Sequence, residues 1–291
     1  MAKCAFIGLG VMGYPMAGHL LRKGGHQVTV YNRSSGKAAT WLSEYGGRSA
    51  QSPRAAAEGA DFVMTCVGND DDVRAVVLGA EGALTGMSPG SVLIDHTTAS
   101  ADLARELHLL CLERGIGFVD APVSGGQAGA QNAQLGIMCG GEQADFDRSK
   151  AVLDVYAKMC ALIGGPGAGQ LTKMVNQIVI AGVVQGLAEG LNFGKRAGLD
   201  LEKVVSVISK GAAQSWQMEN RWQAMDQLKF DGFGFAVDWM RKDLAICLGE
   251  ANRNGARLPL TALVDQFYAQ LQARGGKRWD TSSLMDLVAR D

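Results

Sequence analysis

The chain has 291 residues, of which 47% are hydrophobic and 20% charged, and a formal net charge of -1. These values are ordinary for a globular protein with room for one large core or two moderate ones. The near-neutral charge, without a basic stripe, argues against a nucleic-acid surface. Read run by run, no apolar stretch reaches membrane-spanning length. The N-terminus also lacks the long apolar segment and cleavage site of a signal peptide, so a cytoplasmic location is expected.

The six cysteines are Cys4, Cys66, Cys111, Cys139, Cys160 and Cys247. None is paired at CxxC spacing and most sit in apolar runs, so they read as buried thiols rather than disulfides. The four histidines are scattered, and no metal site is expected.

Residues 3–8 read as a short buried strand running into Gly8-Leu9-Gly10-Val11-Met12-Gly13. A helical pattern follows through Met16 and Leu20 to Gly24-Gly25, then a second strand, Gln27-Val28-Thr29-Val30-Tyr31. Strand, glycine turn, helix and strand in this order and length form a dinucleotide-binding unit. The first glycine permits the tight turn, the second lets the pyrophosphate approach, and the third lets helix and strand pack closely. The amides of the helix N-terminus face the phosphates. The second strand ends at Asn32-Arg33-Ser34, where an acidic residue would bind the ribose of NAD. An arginine without that carboxylate favours the 2′-phosphate of NADP(H), with NAD(H) as the alternative. Lys37 reads equally as a second phosphate partner or as a helix-surface charge, and the other reading of Arg33 is a solvated surface charge. Ser35-Gly36-Lys37 is not a P-loop, because Tyr31 and Ala38 stand where that motif needs Gly and Ser or Thr.

Helical and strand patterns then alternate: helix near 52–59, strand 61–67, helix 70–78, strand 91–95, helix 100–114. Alternation of this kind predicts a parallel sheet covered on both faces, with ligands at the carboxyl ends of the strands. Asp70-Asp71-Asp72 reads as an acidic helix N-terminus rather than a metal cluster. A strand at Phe118-Val119 breaks into Asp120-Ala121-Pro122-Val123-Ser124-Gly125-Gly126, a loop able to hold a small carboxylate through backbone amides and the Ser124 hydroxyl, or an ordinary turn. A strand at 135–140, a helix near 142–158 and a strand at 161–164 close the first domain.

From Leu171 the apolar residues Met174, Val175, Ile178, Val179, Val183, Val184, Leu187 and Leu191 predict one long helix, apolar around most of its circumference and therefore buried. Lys173 lies in its first turn, one turn from Asn176 and Gln177. The remainder of the chain reads as all-helical, near 200–211, 214–227, 236–255 and 258–274. The expected fold is α/β: a Rossmann-type doubly wound parallel sheet over 1–164, an interdomain helix over 165–198 and an all-helical domain over 199–291. Lys242-Asp243 in the last of these reads, by itself, as a surface ion pair.

Four blocks together resemble the β-hydroxyacid dehydrogenases: Ile7–Met16, Asp120–Gly126, Gly167–Gln177 and Lys242-Asp243-Leu244. That family includes 3-hydroxyisobutyrate dehydrogenase, tartronate semialdehyde reductase and the glyoxylate and succinic semialdehyde reductases. The resemblance implies Lys173 as the catalytic residue and Ser124, Gly125 and Gly126 as substrate contacts. It places Lys242 beside the nicotinamide cofactor and Val67 and Thr97 at the cofactor's edge, and it implies a homodimer or homotetramer built through the helical domain. Asn176 and Gln177 fill the two positions where relatives carry an asparagine, and either can meet the substrate. Val67-Gly68 stands where relatives commonly have Leu-Pro.

The chemistry these residues suit is reduction of a small aldehyde- or keto-acid by NADPH. Lys173 would supply the proton and steady the developing oxyanion. The alternatives are NAD-dependent oxidation of a 3-hydroxy acid such as 3-hydroxyisobutyrate or serine, imine reduction, and a non-catalytic dinucleotide sensor. Trp216, Phe235 and Trp239 are the candidates for tuning specificity.

Overall fold

The computed structural model describes residues 1–290, which form two compact units, Met1–Lys173 and Met174 onward. The N-terminal unit runs β1 (Lys3–Ile7), α1 (Gly13–Arg22), β2 (Gln27–Tyr31), α2 (Ser35–Tyr45), β3 (Arg48–Ser49), α3 (Pro53–Ala57), β4 (Phe62–Thr65), α4 (Asp70–Leu78), α5 (Ala83–Gly86) and β5 (Val92–Asp95). It continues with α6 (Ala101–Leu112), β6 (Gly117–Asp120), β7 (Val123–Ser124), α7 (Gly126–Gln131), β8 (Leu135–Gly141), α8 (Gln143–Leu153) and β9 (Ala157–Gly164). The long helix α9 (Ala168–Arg196) starts in this unit. After it come α10 (Leu201–Ile208), α11 (Trp216–Gln227), α12 (Val237–Asn254), α13 (Pro259–Ala273) and α14 (Leu284–Ala289).

Six strands lie in the order β3-β2-β1-β4-β5-β6, all parallel, which is the strand order of a Rossmann sheet. The sheet is parallel only this far. β8 pairs antiparallel with β6 and with β7, and β9 runs parallel to β8. Both faces of the parallel part are covered. Cys4 and Phe6 of β1 enter one apolar cluster, with Met16, Leu20 and Trp41, while Ala5 and Ile7 enter the other, with Val73, Leu103 and Leu107. Alternate residues of one strand thus feed two cores. Each large side chain buried as fully as Phe6 or Ile7 contributes roughly 1.5–3 kcal/mol.

Three differences from the sequence reading stand out. The helix expected near 142–158 ends at Leu153, and the next strand begins at Ala157 rather than 161. Ala157–Cys160 has no strong strand preference of its own; pairing with β8 decides it. α9 is not buried all round, because Val175, Val179 and Phe193 are each more than half exposed. α9 also has the length and apolarity of a membrane span, with a mean hydropathy of 1.3 over its best window, which the run-by-run reading missed. It is a core helix: Ala181, Val184, Leu187, Ala188 and Leu191 join the core of the C-terminal unit with Met240, Leu244, Val264 and Tyr268.

Asp70, Asp71 and Asp72 occupy the first turn of α4, where Asn69 caps the helix by accepting from the Asp72 amide. Among the described residues no disulfide joins the cysteines.

Two ionisable groups at the end of β5 are fully buried. His96 donates from Nδ1 to the Ala121 carbonyl at 2.7 Å, since a carbonyl only accepts, so its Nε2 accepts from the Tyr156 hydroxyl at 2.8 Å. Burial holds this neutral imidazole at a pKa of about 4, below the usual 6.5. Burial likewise pushes the Asp95 carboxyl from 3.8 up to about 6, against the bonds it accepts from the Thr65 hydroxyl and from Thr97.

The two act in opposite directions on stability. The His96 contribution is complete above pH 6.5 and lost as pH falls toward 4. The Asp95 contribution is complete below pH 3.8 and lost as pH rises through 6. They nearly cancel in the wild type and separate in the single variants. Between pH 6.5 and 4, His96→Gln should gain stability relative to wild type and Asp95→Asn should lose it, each on the order of 3 kcal/mol. Urea unfolding at a series of pH values reads both; parallel curves for wild type and variants would contradict the assignment.

Candidate functional site

The glycine turn between β1 and α1 has the steric logic of a phosphate cradle. Gly8 has φ +101°, and a Cβ there would lie 2.3 Å from the Cys66 carbonyl oxygen. A Cβ on Gly13 would lie 2.0 Å from the Gly8 carbonyl oxygen. Both glycines are demanded by the fold itself. Gly10 is different: a Cβ there meets nothing within 4 Å. Its smallness answers to no neighbour in the chain, and the space beside it is open to a ligand. No side chain caps α1, whose first residues follow Val11 and Met12, so its positive end is left for an anion. The turn therefore fits a dinucleotide pyrophosphate.

Asn32 does more than stand where a carboxylate is absent. Its Oδ1 accepts from the Leu9 amide at 2.9 Å and its Nδ2 donates to the Ser34 carbonyl at 3.1 Å, fastening the end of β2 to the glycine turn. Arg33 beside it is 90% exposed, with Asp72 3.6 Å away, a pair too solvated to hold the guanidinium firmly. Lys37 is exposed on α2. At the neighbouring strand ends, the Val67 amide donates to the buried Thr97 hydroxyl oxygen at 3.1 Å, pinning the Val67-Gly68 turn.

The Ser124 loop lies between β6 and β8. Ser124 is half-buried in β7, opposite Gly136, and Gly125 and Gly126 both have positive φ, at 129° and 61°. Upstream, Asp120 is fully buried and turns its carboxylate onto the start of α9. Oδ1 accepts from the Gly167 amide at 2.8 Å and Oδ2 from the Gln170 amide at 2.9 Å. Burial pushes the carboxyl pKa up, and these amides pull it back. Gln170, also buried, accepts from the Ala99 amide at 3.0 Å and donates to the Thr97 carbonyl at 2.7 Å. Lys173, one turn later, is buried as well.

In the C-terminal unit, Asn176 donates to Gln177 Oε1 at 2.8 Å, and Gln177 Nε2 donates to Asp243 Oδ2 at 2.6 Å. Lys242 Nζ lies 3.0 Å from Asp243 Oδ1. This pair is not at the surface as its sequence suggested: the Asp243 side chain is 1% exposed and that of Lys242 21%. Trp216 and Trp239 are partly exposed, Arg221 lies over the Trp216 ring, and Phe235 packs against the core. Asp120, Gln170 and Asp243 were not singled out as site residues from sequence. The only signal was their place inside the resembling blocks.

Residues 3–164 match the NAD binding domain of 6-phosphogluconate dehydrogenase, and residues 167–288 match the NAD-binding region of NADP-dependent 3-hydroxyisobutyrate dehydrogenase. The chain belongs to the 3-hydroxyisobutyrate dehydrogenase, or β-hydroxyacid dehydrogenase, family. It is 64% identical to an uncharacterized oxidoreductase of Shewanella frigidimarina, covering 98% of this chain and 97% of that one. It is 34% identical to 2-hydroxy-3-oxopropionate reductase of Escherichia coli, over 98% and 97%. Among solved structures, Mycobacterium tuberculosis 3-hydroxyisobutyrate dehydrogenase with L-serine superposes with a TM-score of 0.89 at 30% identity, covering all of both chains. Like this family, the protein is an NAD(P)-dependent oxidoreductase acting on CH–OH groups, and its relatives use small hydroxy acids.

The three glycines of this dehydrogenase turn should separate on substitution. Gly8→Ala and Gly13→Ala should lower the melting temperature. Gly10→Ala should leave stability within about 0.5 kcal/mol while weakening dinucleotide binding about tenfold or more. Melting curves and cofactor fluorescence titration read the two effects; undiminished binding in Gly10→Ala would contradict the cradle.

Proposed function

We propose that the chain reduces a small aldehyde- or keto-acid, of the glyoxylate or succinic semialdehyde type, to the hydroxy acid with NADPH. The observation that carries this reading is Lys173, a buried lysine on the helix whose first turn is fastened to the dinucleotide-binding sheet by Asp120 and Gln170. Gly8 to Gly13 hold the pyrophosphate. Arg33, with Asn32 and Ser34, receives the 2′-phosphate; its exposure and the lack of a carboxylate at the end of β2 support NADPH. Val67, Thr97 and Lys242 complete the cofactor contacts.

Bound NADPH supplies the hydride. The Lys173 ammonium donates a proton to the carbonyl oxygen as charge develops there, and its charge stabilises that oxygen before the proton moves. The amine left behind is reprotonated from solvent. Ser124, Gly125 and Gly126 hold the substrate carboxylate through the hydroxyl and backbone amides.

The structure supports a division of labour between the two amides. Gln177 is buried, with its amide oxygen bonded to Asn176 and its nitrogen to Asp243, so it anchors rather than contacts. Asn176, half-buried one turn from Lys173, is the amide we assign to the substrate.

The protein works, on this reading, in the cytoplasm as a homodimer or homotetramer. The exposed apolar side chains of α9, Val175, Val179 and Phe193, support assembly through the C-terminal unit. Oxidation of a 3-hydroxy acid with NAD is the second reading, favoured by the Mycobacterium tuberculosis relative solved with L-serine.

The test is oxidation of NADPH or NADH, followed by absorbance, against glyoxylate, succinic semialdehyde, tartronate semialdehyde and methylmalonate semialdehyde. NADPH should be preferred, Arg33→Ala should narrow the preference, and Lys173→Ala should lose on the order of 10²-fold or more in kcat. A strong NADH preference would overturn the assignment of Arg33. Turnover surviving in Lys173→Ala would overturn the proton donor. Silence with every aldehyde acid, beside turnover of L-serine or 3-hydroxyisobutyrate, would establish the second reading instead.

A further inference from the structure

Gln170 makes three buried hydrogen bonds to two separate segments of the N-terminal unit. Its backbone amide donates to Asp120 at the end of β6. Its side chain makes two bonds to the segment after β5, accepting from the Ala99 amide and donating to the Thr97 carbonyl. That segment is itself tied to the end of β4, since the Thr97 hydroxyl accepts from the Val67 amide, and to β5, since the Thr97 amide donates to Asp95. An unbroken set of hydrogen bonds therefore links the Val67 and Thr97 strand ends to the first turn of α9, one turn before Lys173. The side chain is 1% exposed, so water cannot replace a lost partner. An apolar residue of the same size would fill the space as well; the amide is needed only to satisfy one donor and one acceptor at fixed positions.

We propose that Gln170 is a positioning residue that couples the cofactor-edge loops at Val67 and Thr97 to the placement of Lys173. Seating of the nicotinamide end of the cofactor and aim of the proton donor are thereby set together. A shift of the Thr97 segment drags the start of α9 with it, and the reverse holds too. This rests on Lys173 being the proton donor, and the test separates the two claims.

The full-length Gln170→Leu, Gln170→Glu and Lys173→Ala variants would be compared with wild type. The readouts are melting temperature, NADPH dissociation constant by fluorescence, and kcat against pH with the best carbonyl acid. Gln170→Leu should lose about tenfold or more in both NADPH affinity and kcat, whereas Lys173→Ala should lose kcat and keep NADPH affinity. Gln170→Glu has a sharper signature. A protonated carboxyl at this place can accept from the Ala99 amide and donate to the Thr97 carbonyl as the native amide does, while an ionised one turns a lone pair on that carbonyl. Burial, with Asp120 on the residue's own amide and Asp95 on the Thr97 amide, raises the pH at which the new carboxyl ionises, against the opposing pull of the Lys173 ammonium one turn along α9.

The ratio of Gln170→Glu to wild-type kcat should therefore rise as pH falls. A role in stability alone would move the melting temperature and leave that ratio flat wherever both proteins are folded. A flat ratio, or a folded Gln170→Leu within twofold of wild type in both constants, would overturn the coupling and leave the proton donor standing. Turnover surviving in Lys173→Ala would retire the proton donor and the coupling with it. Should Gln170→Leu fail to fold, the pH profile of Gln170→Glu decides alone.

Discussion

The buried carboxylate of Asp120 is the constraint on which the polar network of the N-terminal unit depends. It stands at the end of a central strand, where the sheet turns from parallel to antiparallel, and caps α9 from below. Room for it exists only because two neighbours lack side chains. A Cβ on Gly140 would lie 2.5 Å from Asp120 Oδ1, and one on Gly169 would lie 2.8 Å from Oδ2. The helix can therefore start directly over the carboxyl ends of the strands, where a parallel sheet presents its ligands. The negative group satisfies helix amides that would otherwise be orphaned, and the positive end of the helix dipole offsets part of the cost of burying the charge.

From this one junction the rest of the local geometry follows. The residues after Asp120 form the Ser124 loop, and those before it pair with β5. His96 holds the Ala121 carbonyl from underneath, so the loop is fixed at its root as well as by β8. Gln170 carries the same order to the segment bearing Thr97. Lys173, a flexible side chain by nature, is aimed by a helix whose start is held on two sides. Beyond the boundary at Met174 the same helix brings Gln177 to Asp243, so both units carry buried polar networks on one continuous element.

Much of this was legible in the chain. The glycine turn, the alternation of strands and helices and the four resembling blocks lead to a Rossmann unit, a long helix and a helical unit, because their signals are local. Periodicity reports which face of an element is buried, and glycine spacing reports a turn. The features that were not legible depended on partners distant in sequence. Asp120 and Gln170 are fifty residues apart, and no pattern within either block announces that one caps the other. The Lys242-Asp243 pair reads as surface charge, yet Asp243 is buried and accepts from Gln177, a partner distant in sequence. Asn32 read as a missing carboxylate, yet its amide fastens the glycine turn through the Leu9 amide, a contact set by strand register. The same limit explains β9, whose early start is decided by β8, and the open side of α9, which an apolar sequence alone cannot distinguish from a buried one.

The most direct test of Asp120 as the organising group is hydrogen exchange at the start of α9, followed residue by residue in wild type and in Asp120→Asn. An asparagine can accept from one amide, but its own NH₂ opposes the other. The amides of Gly167 and Gln170 should be among the slowest to exchange in the wild-type N-terminal unit. In the variant they should speed up together, with protection in β1 and β4 unchanged and turnover reduced. Unprotected amides at Gly167 and Gln170 in the wild type, or unaltered protection and turnover in the variant, would contradict the account.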